Sequence, residues 1–81
     1  MDVELALRQE AAWLAQSMVD VPESRMRVHS YRPRIEHKLQ CPRCWIRKGD
    51  RNSLRSVPGS DECDLLRCNY DPCGAEFVIP I

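Results

Sequence analysis

Five cysteines carry the chemistry in this chain. Two residues separate Cys41 from Cys44, four separate Cys68 from Cys73, and 23 lie between the pairs. Two thiols from one loop facing two from another make a four-thiolate tetrahedral site. Zinc suits such a set, because it is borderline-soft and brings no redox chemistry. Pro42 fixes the backbone between the first two sulfurs. The expected ligands of one structural Zn2+ are therefore Cys41, Cys44, Cys68 and Cys73. Ligand chemistry alone also leaves room for iron in a four-thiolate site. Cys63 too is separated from Cys68 by four residues and offers an alternative ligand, although Gly74 and Phe77 fit a strand exit after Cys73. Outside the site, Cys63 reads as a small buried apolar residue.

A closed shell of four protein ligands leaves no position for a reacting water, so the site is read as structural. No Ser/His/Asp set or glycine-rich phosphate loop stands out, and the chain is not expected to be an enzyme. A thioredoxin-like role for Cys41-Pro-Arg-Cys44 needs a larger α/β domain than 81 residues provide. His29 and His37 read as half-exposed strand residues. An odd number of cysteines argues against a disulfide framework. The acidic start Met1-Asp2-Val3-Glu4 is unlike a secretory leader, and no apolar run approaches the roughly 18 residues of a membrane span. A cytoplasmic protein with no membrane contact is expected, in a compartment where clustered thiols bind metal.

The net charge of zero hides a strong pattern. Residues 1–24 carry a net −4 and residues 56–81 a net −4, while ten cations against two acids give residues 25–55 a net +8. Eight of those ten cations are arginine, the better phosphate fork. Arg43, Arg47, Lys48, Arg51 and Arg55 are the candidate binding residues. Asn52 and Ser53 could add hydrogen bonds to phosphates, and Trp45 and Tyr70 could stack on bases.

These side chains must be positioned by a small fold. Val3, Leu7, Ala11, Leu14 and Met18 recur at helical spacing and predict a helix over 3–19, with Leu5, Ala12 and Val19 widening its apolar face and Trp13 at the flank. Asp2 is the expected cap, and Asp20-Val21-Pro22 the stop. Residues 22–24 read as a linker. Met26 and Val28, then Ile35, His37 and Leu39, alternate with charged residues and predict two short strands, interrupted at Pro33. Residues 46–52 read as a basic loop. Strands are expected over 53–57, 62–67 and 76–81, with Pro58-Gly59 in a type II turn, Gly74 left-handed and Phe77 in the core. The whole is a small α+β zinc-stabilised domain. An N-terminal amphipathic helix and linker (1–24) precede a three- to five-stranded antiparallel zinc ribbon with its preceding strands (25–81).

From Cys41 to Ile81, about half the chain, the sequence resembles the Ogr/Delta family of small zinc-finger activators of phage late transcription. Cys41-Pro-Arg-Cys44, Arg51-Asn-Ser-Leu-Arg55 and Cys68-x4-Cys73 followed by Gly-Ala-Glu-Phe carry the resemblance. It implies that Cys41, Cys44, Cys68 and Cys73 hold one zinc in a module that binds DNA and contacts RNA polymerase. The expected function is thus a nucleic-acid-binding, transcription-related module. The competing expectation is a phage or mobile-element inhibitor or adaptor that meets a host protein. That role would use the basic surface and the first helix, which could also pair with a second copy.

Overall fold

The computed structural model describes residues 3–80. Three helices and five strands follow one another as α1 (Val3–Ser17), α2 (Pro22–Ser30), β1 (Arg34–Ile35), β2 (Lys38–Leu39), α3 (Pro42–Lys48), β3 (Leu54–Ser60), β4 (Cys63–Cys68) and β5 (Glu76–Pro80). The α+β class stands. One antiparallel sheet has the order β3-β4-β5, and β1 and β2 form a separate two-stranded hairpin.

α1 forms where the apolar period placed it. Ala6, Leu7, Ala11, Leu14 and Ala15 make its buried face, and the three alanines let neighbouring helices approach closely. This face packs on α2 and α3, and Val3 and Met18 lie at its edge. Leu5 and Val19, expected to widen the face, are exposed instead, as is Trp13. The expected cap Asp2 lies outside the described residues.

Residues 22–30 correct the sequence reading most. They form neither linker nor strand but helix α2, with Pro22 in its first turn, where a missing N–H costs nothing. Glu23 in the first turn and Arg27 and His29 in the last complement the helix dipole. The two-residue alternation at Met26 and Val28 came from charged residues lying around a helix that is apolar on one edge only; Met26 is 71% exposed. The strand expectation survives only in the β1–β2 hairpin, paired Arg34↔Leu39 and Ile35↔Lys38. Its turn holds Glu36 at φ +57°, a conformation that a side chain disfavours.

Residues 46–48 are likewise not loop. Cys41 is the N-cap of α3, Pro42 opens it, and Gly49 closes it at φ +74° with its N–H on the carbonyls of Cys44 and Trp45. The first cysteine pair therefore sits on a short helix rather than on a strand-to-strand loop. The second sits at the end of β4 and in the turn that follows. Leu54, Leu66, Phe77 and Ile79 from the sheet join Leu7, Leu14 and Ile46 from the helices in one core cluster.

Pro58 and Gly59 are not the hairpin turn. β3 runs on to Ser60, with a register shift between Val57 and Ser60, and the chain reverses at Asp61-Glu62. Gly59 is needed there for closeness: a Cβ would sit 2.9 Å from the Cys63 carbonyl oxygen.

Candidate metal centre

α3 aims Cys41 and Cys44 at one point by placing them at its cap and first turn. The β3–β4–β5 sheet brings the second pair to the same point. Cys68 is the last residue of β4, and its N–H bonds the Ala75 carbonyl at 2.9 Å just before β5 begins. The Tyr70 carbonyl accepts the N–H groups of Cys73 and Gly74 at 2.9 and 3.1 Å, closing the turn that presents Cys73. Gly74 leaves it at φ +56°, as the sequence predicts.

The four thiol sulfurs all lie within 4.8 Å of one another. Cys44 Sγ and Cys68 Sγ are 3.6 Å apart, and Cys41 Sγ and Cys73 Sγ 3.9 Å. A tetrahedral ion bound at about 2.3 Å to each sulfur separates them by about 3.8 Å. The donor set and its spacing thus fit one metal ion closed on all sides. Cys63 is outside the cluster; its sulfur lies 3.2 Å from Ser60 Oγ.

The electrostatics favour a cation. Burial raises the Cys41 thiol well above the ordinary range, and the neighbouring thiols add to this despite a hydrogen bond from the Cys44 backbone. Cys44 is pushed up to about 11, again chiefly by burial, against a hydrogen bond from Asn52. Burial alone would raise Cys73 too. Hydrogen bonds from the Ala75 backbone and then the other three thiols outweigh it and hold Cys73 below its usual value. Cys73 is also the least buried of the four, so it offers a thiolate more readily than Cys41 or Cys44. A bound cation would reverse the burden on Cys41 and Cys44 by deprotonating them.

Asn52 and Ser53 are engaged inside the protein. The Asn52 carbonyl accepts the Cys41 N–H at 2.8 Å while its side chain meets Cys44. Ser53 takes the Asn69 N–H at its carbonyl and Asn69 Nδ2 at its hydroxyl, both at 2.9 Å. Together they lock the two cysteine loops, a role the sequence gave no periodic signal for. Trp45 is fixed by its Nε1, which donates to the Arg27 carbonyl at 2.9 Å. Arg27 in turn donates to the Ile46 carbonyl at 3.0 Å, so α2 and α3 clasp each other.

The candidate cations divide. Arg43, Arg47 and Lys48 line one cleft of about 120 Å³ with Tyr70, Pro72 and the ligands Cys44 and Cys73. Arg51 lies over the Trp45 ring, 5.6 Å from its centre, and lines other clefts. Arg55 stands on β3 opposite Arg67. His29 and His37 are exposed and away from the thiols. No helix among the described residues is long and apolar enough to cross a membrane. Comparison with protein-family models, curated proteins and solved structures finds no match for the chain.

Proposed function

We propose that this protein is a zinc-held nucleic-acid-binding module of the transcription-related kind, with DNA as its partner. One observation carries the reading: Arg43, Arg47 and Lys48 gather with Tyr70 around a single cleft walled by two of the metal ligands. The ion fixes α3 against the Tyr70–Cys73 turn, and so fixes the cations that would meet phosphates. Among the described residues the buried Nε of Arg43 has no hydrogen-bond partner, which leaves it a donor to give. Zinc is the proposed ion because four thiolates in a tetrahedron are its ordinary structural shell. Membership of an Ogr/Delta-like family, with contact to RNA polymerase, belongs to the same proposal.

The test is duplex and single-strand DNA binding by the zinc-loaded chain across a salt series. Arg47→Ala and Arg43→Ala should each flatten the log–log salt slope by about 0.7–0.9. Binding that ignores salt, or its absence at low salt, would sink the proposal.

A second reading has an observation of its own. Leu5, Trp13, Val19 and Met26 are more than half exposed on α1, on α2 and in the turn between them, and offer large apolar side chains to a partner. An inhibitor or adaptor docking a host protein by these helices would retain a stoichiometric partner after nuclease treatment of a lysate. A nucleic-acid binder would lose everything.

A further inference from the structure

Two adjoining clefts of about 340 and 180 Å³ open between the β1–β2 hairpin, Trp45 of α3 and the segment that follows α3, meeting at Ile35, Gln40 and Arg51. The larger falls at the small end of ligand-site volumes. Trp45 and Arg32 complete its wall. Gln40 is unusual there. The residue is only 4% exposed, yet among the described residues its Oε1 has no hydrogen-bond partner. Its backbone is pinned, the N–H to the Pro33 carbonyl at 2.7 Å and the carbonyl by the Tyr31 hydroxyl at 2.6 Å. A buried acceptor left unmet is costly, and native proteins keep few of them.

We infer that this cleft receives one unpaired nucleobase of a single-stranded nucleic acid. The flat walls suit a ring: Trp45 is locked by its bond to Arg27, and the Arg51 guanidinium lies over it. The unmet acceptor of Gln40 calls for an N–H, which the exocyclic amino groups of adenine, cytosine and guanine supply. Arg32 and Lys38 can meet the flanking phosphates. The smaller cleft is lined by Lys38 and Arg51 as well as Glu36, and its net positive charge suits the strand's backbone next to the base. In a duplex the base edges are already paired, so the cleft selects single strands. This rests on the proposed nucleic-acid function and names the form of nucleic acid bound.

The test uses the full zinc-loaded chain carrying Trp13→Phe, which leaves Trp45 as the single tryptophan. Its emission is followed while oligonucleotides of about ten nucleotides are added. The set is oligo-dA, oligo-dC, an abasic strand with the same number of phosphates, and a duplex. Base-bearing single strands should change the Trp45 emission and bind roughly tenfold tighter than the abasic strand. Gln40→Leu should erase that preference and keep the salt slope. Should the variant lose its zinc or its circular dichroism, the comparison of base-bearing with abasic strands on the unaltered Gln40 decides alone. Equal affinity for abasic and base-bearing strands, or a duplex bound as tightly, overturns the nucleobase site and leaves the nucleic-acid reading standing. No salt-sensitive binding to any of the four overturns both.

Discussion

The helical end and the sulfur end of this molecule are held together by different means. α1 and α2 rest on small, well-fitted side chains: Ala6, Leu7, Ala11, Leu14 and Ala15 are all buried, and Ser24 is fully enclosed. The sulfur end buries the larger side chains Ile46, Leu54, Leu66, Phe77 and Ile79, and three buried thiols, Cys41, Cys44 and Cys68, take the space left among them. Protonated, those thiols are weak glue; tied to one ion, they crosslink α3 to β4 and the turn beyond. Yet both ends feed one core cluster, in which Leu7 and Leu14 share membership with Cys41, Cys44 and Cys68. The lesson is that an ion held by these four sulfurs would be more than a local ornament. It would tie α3 to β4 and the following turn in the middle of the core that both ends share.

The strongest way to break this comparison is to take away the ion. Zinc binding in small domains is worth about 10–16 kcal/mol, most of it expressed as folding. Chelation, or Cys68→Ser, should therefore unfold the helices and the sheet together. Far-ultraviolet circular dichroism and Trp45 emission should change in one transition. Helices that persist after the strands have gone would show that the two ends stand independently.

A smaller effect is expected from the packed end. Leu7→Ala removes a fully buried side chain and should cost about 2–5 kcal/mol in urea unfolding of the metal-loaded protein. Leu5→Ala, two residues away on the exposed side, should stay within about 0.5 kcal/mol. Equal losses would mean that α1 is oriented differently.

Acidity sharpens the contrast further. In the metal-free chain the Cys44 proton is held to about 11 by burial, against 9.0 for the ordinary thiol. The unfolded chain ionises first, so this contribution to stability is whole below pH 9 and is lost as pH rises through 11. The metal-loaded chain should behave in the opposite sense, releasing its ion as falling pH returns protons to the sulfurs. Denaturant midpoints against pH, with and without chelator, check both arms.

The smallest change should come from Cys63→Ser. Its sulfur meets Ser60 Oγ and lies outside the four-thiol cluster, so metal stoichiometry by native mass should hold at its wild-type value. Stability should move by no more than about 0.5 kcal/mol. A lost ion would place Cys63 in the shell.

Much of the centre was legible beforehand because its signals are local. Two short cysteine spacings point to the sulfurs that meet, with Cys63 left as the alternative until the fold excluded it, and Gly74 marks the turn that returns the chain to β5. The strands around it read in the right order, although β3 runs to Ser60 through the expected Pro58-Gly59 turn; in β5, Phe77 is buried between exposed neighbours. α3 was missed because seven residues are too few for a helical period to appear, although Pro42 and Gly49 bracket it as start and stop. Asn52 and Ser53 gave no sign that they would be spent on holding the cysteine loops.

The chain's own order of residues was enough to single out the four sulfurs that meet, the first helix and an antiparallel sheet in the second half, since spacing and period act over a few residues. Only the folded molecule decided the rest. α2 is held as a helix by bonds between Arg27 and the distant Trp45 and Ile46, and no window of sequence contains both partners. The same holds for the sorting of the cations into separate clefts and for the burial of Gln40 with no partner for its Oε1 among the described residues. These depend on which surfaces meet once the core closes, and that is set by packing between segments that are far apart along the chain.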